Sequence, residues 1–113
     1  MYEEITVERR GHVDLVTIDR PEARNALTHQ TYAELARAVR ETEARCLVIT
    51  GRDPAFCSGD DVKKVMKGGD GSTGKRVAAE PRLTDTAGAL LYADVPIVAA
   101  VNGAAVGWGM ELA

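Results

Sequence analysis

The strongest constraint on the fold lies in the last eighteen residues, PIVAAVNGAAVGWGMELA. The apolar run from Pro96 to Val101 is bounded by a proline and by Asn102-Gly103, a pattern that predicts a buried strand and then a turn. Two glycines flank Trp108, and Met110 to Ala113 are predicted to form the first turn of a helix. Backbone N–H groups at a helix start have no partner inside the helix and carry partial positive charge. The stretch therefore predicts a site for an anion or a developing oxyanion.

A second stretch of similar design is AFCSGDDV, from Ala55 to Val62. It follows a predicted strand from Cys46 to Thr50 and runs into a predicted short helix from Val62 to Met66. The next segment, Lys67 to Lys75, contains four glycines and is predicted to be a flexible loop.

The N-terminal part of the chain predicts a hairpin and then a helix. Ile5–Glu8 and His12–Asp19 alternate apolar and polar residues, which is typical of half-buried antiparallel strands. The turn between them is predicted at Arg9-Arg10-Gly11, and Pro21 to Ala26 is predicted to be a loop. Thr28 is a predicted N-cap for a helix that runs to about Glu43. The predicted buried side of that helix carries Tyr32, Leu35, Ala36 and Val39.

A further helix is predicted from about Leu83 to Tyr92. Its predicted buried side carries Thr84, Ala87, Leu90 and Leu91. Because strands and helices alternate along the chain, the fold class is predicted to be α/β. No internal repeat or linker divides the 113 residues, which therefore predict one domain at most.

Composition excludes several classes of function. The net charge of −3 provides no basic surface for nucleic acid or for an anionic membrane. No run approaches the roughly 18 apolar residues that a membrane helix needs. The N-terminus is acidic, unlike a signal peptide, and the two cysteines form no CxxC pattern. These features predict a cytoplasmic protein with reduced thiols.

Three segments together resemble the enoyl-CoA hydratase/isomerase (crotonase) family. They are the two stretches described above and RPEARNAL, from Arg20 to Leu27, which is similar to the N-terminal signature of that family. The resemblance implies the crotonase-like ββα-spiral (ClpP/crotonase fold), with residues 1–113 forming its N-terminal part only. It implies that the C-terminal half and a trimerisation region are absent, and that the complete protein is a homo-oligomer, a trimer or hexamer. A natural minimal variant is the alternative.

The resemblance also implies a site for acyl-CoA chemistry, of the kind used in fatty acid metabolism. The backbone N–H groups of Asp60 and Trp108 would form the oxyanion hole, and Glu111 would be the catalytic glutamate. Hydration of a 2-enoyl-CoA is the reaction expected of the complete protein. No cofactor is expected, since coenzyme A is part of the substrate, and no metal is expected. The residues implied in binding the substrate or coenzyme A are Ala23, Arg24, Ala26, Ser58, Gly59, Asp61 and Gly107.

Several of these residues have a second interpretation. Glu111 is also explained as a solvated glutamate that favours the first turn of a helix. Arg24 could pair with a phosphate of coenzyme A or be an exposed loop arginine. The acidic side chain of Asp60 should hinder an oxyanion site unless it points away, and Trp108 should narrow the acyl pocket.

Two other functions compete with acyl-CoA catalysis. One is a truncated, non-catalytic fragment that binds acyl-CoA or takes part in assembly. The other is a nucleotide-binding module, suggested by GDGSTGKR at residues 69–76. That segment departs from the phosphate-binding pattern GxxxxGK[ST] at Arg76, and the GxxxGxG spacing of residues 103–109 departs from the dinucleotide pattern GxGxxG. Cys57 and Ser58 have no histidine beside them in sequence, so small residues packing at a strand end explain them better than a nucleophile does.

Overall fold

The computed structural model describes residues 2–62 and 84–113, and these residues form an α/β fold. The main sheet has four strands in the order β1-β2-β3-β5, and a second sheet pairs β4 with β6. The strands are β1 (Ile5–Arg10), β2 (Val13–Ile18), β3 (Cys46–Gly51), β4 (Ala55–Cys57), β5 (Ile97–Ala99) and β6 (Ala104–Ala105). The helices are a 3₁₀ turn (Pro21–Ala23), α1 (His29–Glu41), α2 (Asp85–Leu91) and α3 (Trp108–Leu112).

The predicted N-terminal hairpin is confirmed, because β1 and β2 are antiparallel neighbours. The predicted position of the turn is wrong. Arg10 pairs with Val13 and Arg9 pairs with Asp14, so Gly11 and His12 make the turn. The guanidinium of Arg9 lies 2.6 Å from the Asp14 carboxylate, and this cross-strand ion pair supports the longer strand.

Parallel pairing in the rest of the main sheet places the loops after β2, β3 and β5 at the same edge. β3 runs parallel to β2 on one side and parallel to β5 on the other. The carboxyl ends of parallel strands lie at the same edge of a sheet, and ligands commonly bind there. The loops that follow β2, β3 and β5 therefore leave the sheet at one edge.

The prediction that the strand before Asn102 is buried is wrong. Ile97 and Ala99 of β5 pack against the core, but Val98 is 50% exposed and Val101 is 51% exposed. Successive side chains of a strand point to opposite faces, so only one face of β5 meets the core.

The predicted N-cap of α1 is confirmed. The Thr28 hydroxyl accepts the backbone N–H of Thr31, and the Thr31 hydroxyl accepts the backbone N–H of Thr28 in return. The helix ends at Glu41, two residues before the predicted end. Its predicted face packs inward, with Tyr32 half-buried and the other three residues buried; those three are Leu35, Ala36 and Val39.

The predicted buried side of α2 is wrong for Thr84 and Leu91, which are exposed, whereas Leu90 packs against the core as predicted. Thr86 and Ala89 are buried, whereas Leu91 is 63% exposed. The reason is that α2 packs against α1, and the Thr86 hydroxyl donates a 2.8 Å hydrogen bond to the Tyr32 carbonyl. The helix predicted from Val62 to Met66 lies, apart from Val62, outside the described residues, as do the loop predicted from Lys67 to Lys75 and the segment GDGSTGKR.

The hydrophobic core lies between the main sheet and α1. Its largest fully buried apolar side chains come from both sheets, from α1 and from the loop after β2: Phe56, Ile18, Leu27, Leu35, Leu47, Ile49 and Val16. Within residues 2–62 and 84–113, no helix has the length and apolar character that would let it cross a membrane.

Glu34, a buried carboxylate on α1, holds the N-terminal segment against the helix through hydrogen bonds. Its side chain is buried and accepts backbone N–H groups from Glu3 at 2.9 Å, from Glu4 at 2.8 Å and from Ile5 at 3.2 Å. Burial by itself would raise the pKa of this carboxyl group. The hydrogen bonds from Gln30 and from the three backbone N–H groups outweigh burial, so the pKa lies below its ordinary value of 4.5.

We expect Glu34→Gln to lower the free energy of unfolding by about 2–3 kcal/mol at neutral pH, because three hydrogen bonds to a charged acceptor are weakened. A lowered folded-state pKa contributes stability above the unfolded value, which is lost as the pH falls through the folded value. The difference between the wild type and Glu34→Gln should therefore shrink below about pH 4.5. Urea unfolding at several pH values measures this, with Glu41→Gln at the exposed end of the same helix as control. Equal losses for the two variants would contradict the role of Glu34.

Candidate functional site

The turn after β4 and the turn before α3 lie directly against each other. β4 and β6 are parallel, and the Val106 N–H donates a 3.0 Å hydrogen bond to the Cys57 carbonyl. Gly59 has a φ of +91°, a conformation that favours glycine. A Cβ atom on Gly59 would lie 2.9 Å from the Val106 carbonyl oxygen and 3.6 Å from the backbone nitrogen of Trp108. The structure therefore brings the two predicted oxyanion segments together.

Two backbone N–H groups at this junction have no acceptor among the described residues. Among the hydrogen bonds of residues 2–62 and 84–113, none is donated by the backbone nitrogen of Asp60 or of Trp108. Their neighbours do donate, Asp61 to the Leu27 carbonyl at 2.8 Å and Gly109 to the Val106 carbonyl at 2.9 Å. An unpaired backbone donor is available to a ligand, and a neighbouring pair suits an anionic oxygen.

Tyr32 of α1 reaches this junction, although the sequence pattern predicts it only on the packed face of the helix. Its hydroxyl donates a hydrogen bond to the Asp60 carboxylate. Its ring meets the Trp108 indole edge-on, with centroids 5.1 Å apart and an interplanar angle of 76°. Burial raises the pKa of the Tyr32 phenol, and the hydrogen bond and charge of Asp60 raise it further, followed by the charges of Cys57 and Glu111. The phenol is therefore a protonated donor at neutral pH.

Glu111 lies in the first turn of α3 and faces a different cavity from Asp60. Its cavity of about 410 Å³ is otherwise lined by apolar side chains: Ala87, Leu90, Leu91, Ile97, Trp108 and Leu112. A neighbouring cavity of about 430 Å³ is lined by Tyr32, Asp60, Trp108, His29, Ala33 and Thr84–Thr86. Trp108 is the one residue that lines both cavities.

A larger cavity of about 530 Å³ lies between α1 and α2. Its lining includes Arg40, Thr42, Asp85 and Tyr92. None of the site residues predicted from the sequence lines it. Cavity size therefore does not single out the predicted site.

Asn25 holds the loop after β2 against the turn after β3. Its side chain is fully buried and its φ is +59°. The side-chain carbonyl accepts the backbone N–H of Arg20 at 2.8 Å, and the side-chain amide donates to the carbonyls of Arg52 and Ala55, both at 2.7 Å. These bonds fix the loop that carries Ala23, Arg24 and Ala26.

The same loop contacts the turn after β4, so two segments that carry predicted coenzyme A-binding residues lie together. The Ser58 hydroxyl donates to the Ala23 carbonyl at 3.3 Å, and the Leu27 N–H donates to the Gly59 carbonyl at 2.7 Å. Ala26 is buried, while Arg24 is exposed and has a left-handed φ of +53°. No ion pair found in the described part of the chain includes Arg24.

The structure turns the Asp61 carboxylate inward. It lies 3.1 Å from the buried guanidinium of Arg20, which also lies 3.7 Å from the Glu4 carboxylate and donates to the Ala26 carbonyl at 2.5 Å. This cluster ties the N-terminus to the two loops. A contact between Asp61 and coenzyme A stays a prediction.

The thiols and histidines have ordinary surroundings. Cys46 and Cys57 are free, and burial raises the pKa of the Cys57 thiol, which favours the unreactive protonated form. His12 and His29 are exposed. Over residues 2–62 and 84–113, no group of three or more histidine, cysteine or acidic side chains is arranged to hold a metal ion.

Comparison with known proteins identifies close relatives. A family model described as enoyl-CoA hydratase/isomerase matches residues 8–113. The probable enoyl-CoA hydratase EchA14 of Mycobacterium tuberculosis is 38% identical over 99% of this chain and 44% of its own length. Enoyl-CoA hydratase EchA19 of the same species is 34% identical over 94% of this chain and 41% of its own length. The chain thus spans less than half the length of these curated relatives.

Solved structures agree with the sequence relatives. An enoyl-CoA hydratase from Bacillus anthracis has a TM-score of 0.79 at 27% identity, over 97% of this chain and 44% of its own. A protein from Streptomyces coelicolor A3(2), whose description also names enoyl-CoA hydratase, has a TM-score of 0.84 at 32% identity. That match covers 99% of this chain and 42% of the other. The predicted crotonase-like α/β fold is confirmed.

Because the two turns are in close contact, we expect alanine to affect stability differently at Gly109 and at Gly88. A Cβ atom on Gly109 would lie 2.2 Å from the Cys57 carbonyl oxygen, whereas one on Gly88 of α2 would meet nothing within 4 Å. We expect Gly109→Ala to lower the free energy of unfolding by about 2–3 kcal/mol through steric overlap. Gly88→Ala should raise it by about 0.5–1 kcal/mol, because alanine favours the helix. Urea unfolding of the complete protein checks both, and an unchanged Gly109→Ala midpoint would contradict the contact.

Proposed function

The chain belongs to the enoyl-CoA hydratase/isomerase family, and from this premise we propose that the complete protein is an enzyme that hydrates 2-enoyl-CoA thioesters. Addition of water across the double bond places a hydroxyl group on C3 and a proton on C2. Negative charge develops on the thioester oxygen during this step. Stabilising that oxygen is the main electrostatic requirement of the reaction.

One observation carries the proposal: the free backbone N–H groups of Asp60 and Trp108 lie in two turns that pack against each other. In the proposed mechanism both donate to the thioester oxygen as it becomes an enolate. Loss of one such donor typically costs roughly 3–4 kcal/mol of transition-state stabilisation. Backbone donors need no particular side chain, which accommodates an aspartate and a tryptophan at these positions.

Glu111 is the proposed general base. Its carboxylate lies at an apolar cavity whose wall includes Trp108, one of the two proposed donor residues. A carboxylate among apolar neighbours can take a proton from water while the water attacks C3. The second acid–base group of a hydration would come from the part of the relatives' length that this chain does not span.

Coenzyme A is proposed to bind along the loop after β2. Ala23 and Ser58 are in contact there, and the exposed guanidinium of Arg24 is free to reach a phosphate group. Further chain or further copies would cover the apolar side chains that are exposed from β5 to α3, as a homo-oligomer does; they include Val98, Val101, Val106 and Met110.

The role of Glu111 is tested by Glu111→Gln in the complete protein. We expect kcat to fall about 10²–10⁴-fold with little change in KM, because the amide cannot accept a proton but keeps the shape of the side chain. Loss of the ultraviolet absorbance of the conjugated enoyl thioester measures hydration. Glu22→Gln, an exposed change in the 3₁₀ turn, is the matched control. Full turnover by Glu111→Gln would remove Glu111 from the mechanism.

The role of Arg24 is tested with two substrates that carry the same acyl group. We expect Arg24→Ala to raise KM about tenfold for the CoA thioester and to leave KM unchanged for a pantetheine thioester, which lacks the nucleotide phosphates. Arg45→Ala, at another exposed arginine, should change neither value. An equal rise in KM for both thioesters would show that Arg24 supports the loop rather than a phosphate.

The competing functions give different results in a binding assay. A ligand present at about 100 times its Kd stabilises a folded binder by about 2.7 kcal/mol. A non-catalytic acyl-CoA-binding protein would show this shift with acyl-CoA but no turnover. A nucleotide-binding module would show it with ATP or NAD instead of acyl-CoA.

A further inference from the structure

Tyr32 connects three elements around the candidate site. Its carbonyl accepts the hydroxyl of Thr86 on α2 at 2.8 Å. Its own hydroxyl donates to the Asp60 carboxylate, and its ring packs edge-on against Trp108 at 5.1 Å. One side chain therefore touches both residues whose backbone N–H groups are the proposed donors.

The negative charge of the Asp60 carboxylate would oppose an oxyanion at the candidate site, and Tyr32 holds this carboxylate by a hydrogen bond. A negative charge next to a developing oxyanion opposes the reaction, because like charges repel. Asp60 is exposed, and in the described part of the chain its carboxylate takes a side-chain hydrogen bond only from Tyr32. That bond fixes the rotamer of Asp60 toward α1 and disperses part of its charge.

We propose that Tyr32 is a positioning residue, whose hydroxyl holds the Asp60 carboxylate away from the two free backbone N–H groups while its ring holds the Trp108 indole in place. This inference rests on the proposed function, since the oxyanion is the species that the carboxylate would otherwise oppose. Packing alone does not account for the hydroxyl, because a phenylalanine would keep the edge contact with Trp108 and the backbone bond to Thr86.

The test compares Tyr32→Phe with the same change made in an Asp60→Asn background, using the complete protein. Tyr32→Phe should lower kcat for a 2-enoyl-CoA about tenfold and leave KM within about twofold, because the freed carboxylate affects the transition state more than the neutral substrate. In the Asp60→Asn background the same change should lower kcat less than twofold, since no charge remains to be held. The two effects are then non-additive, as expected of coupled residues.

Tyr92→Phe is the matched control, because Tyr92 is 75% exposed and should leave kcat and the thermal midpoint unchanged. Equal kcat values for the wild type and Tyr32→Phe would overturn the inference alone. An equal loss of kcat in the wild-type and Asp60→Asn backgrounds would also overturn it, and so would unfolding of Tyr32→Phe. Either result would show that the role of Tyr32 is purely structural. Absence of turnover in the wild type with every 2-enoyl-CoA would overturn the proposed function, and this inference with it.

Discussion

The close approach of two backbone segments controls the rest of the candidate site. The carbonyl of Cys57 lies where a side chain on Gly109 would have to be, and the carbonyl of Val106 lies beside Gly59. A hydrogen bond between Val106 and Cys57 locks the two turns together. The turns that carry Asp60 and Trp108 are therefore held in contact, and Trp108 lines both of the cavities next to them.

Buried polar groups then connect this junction to the sheet. Asn25 joins the loop after β2 to the turn after β3, and Arg20 joins that loop to Asp61 and to the N-terminus. Within residues 2–62 and 84–113, every buried side-chain nitrogen or oxygen has a hydrogen-bond partner. Each such group would cost about 1–3 kcal/mol if left unpaired, so the polar contacts specify one arrangement of the loops.

Local patterns in the sequence predict those features that depend on neighbouring residues. The alternation in the hairpin and the cap at Thr28 are set within one turn or one strand pair, and both are confirmed. Contacts between distant residues leave no such pattern. The pairing of β4 with β6, the three N–H groups gathered by Glu34 and the bond from Tyr32 to Asp60 all join segments that only the fold brings together. The burial of β5 and the buried side of α2 could not be predicted correctly either, because each depends on which element packs beside it.

The use of main-chain groups as the proposed donors has a consequence for how such a site could change through time. Any codon except one for proline at position 60 or 108 retains an amide hydrogen, so random substitution there alters the walls of the cavities and leaves the donors in place. The glycines next to them have no such latitude, because a single added methyl group at Gly59 or Gly109 collides with a carbonyl. Over evolution the two glycines would therefore stay unchanged although they perform no chemistry. The side chains at positions 60 and 108 would be free to vary, and substrate preference would change with them.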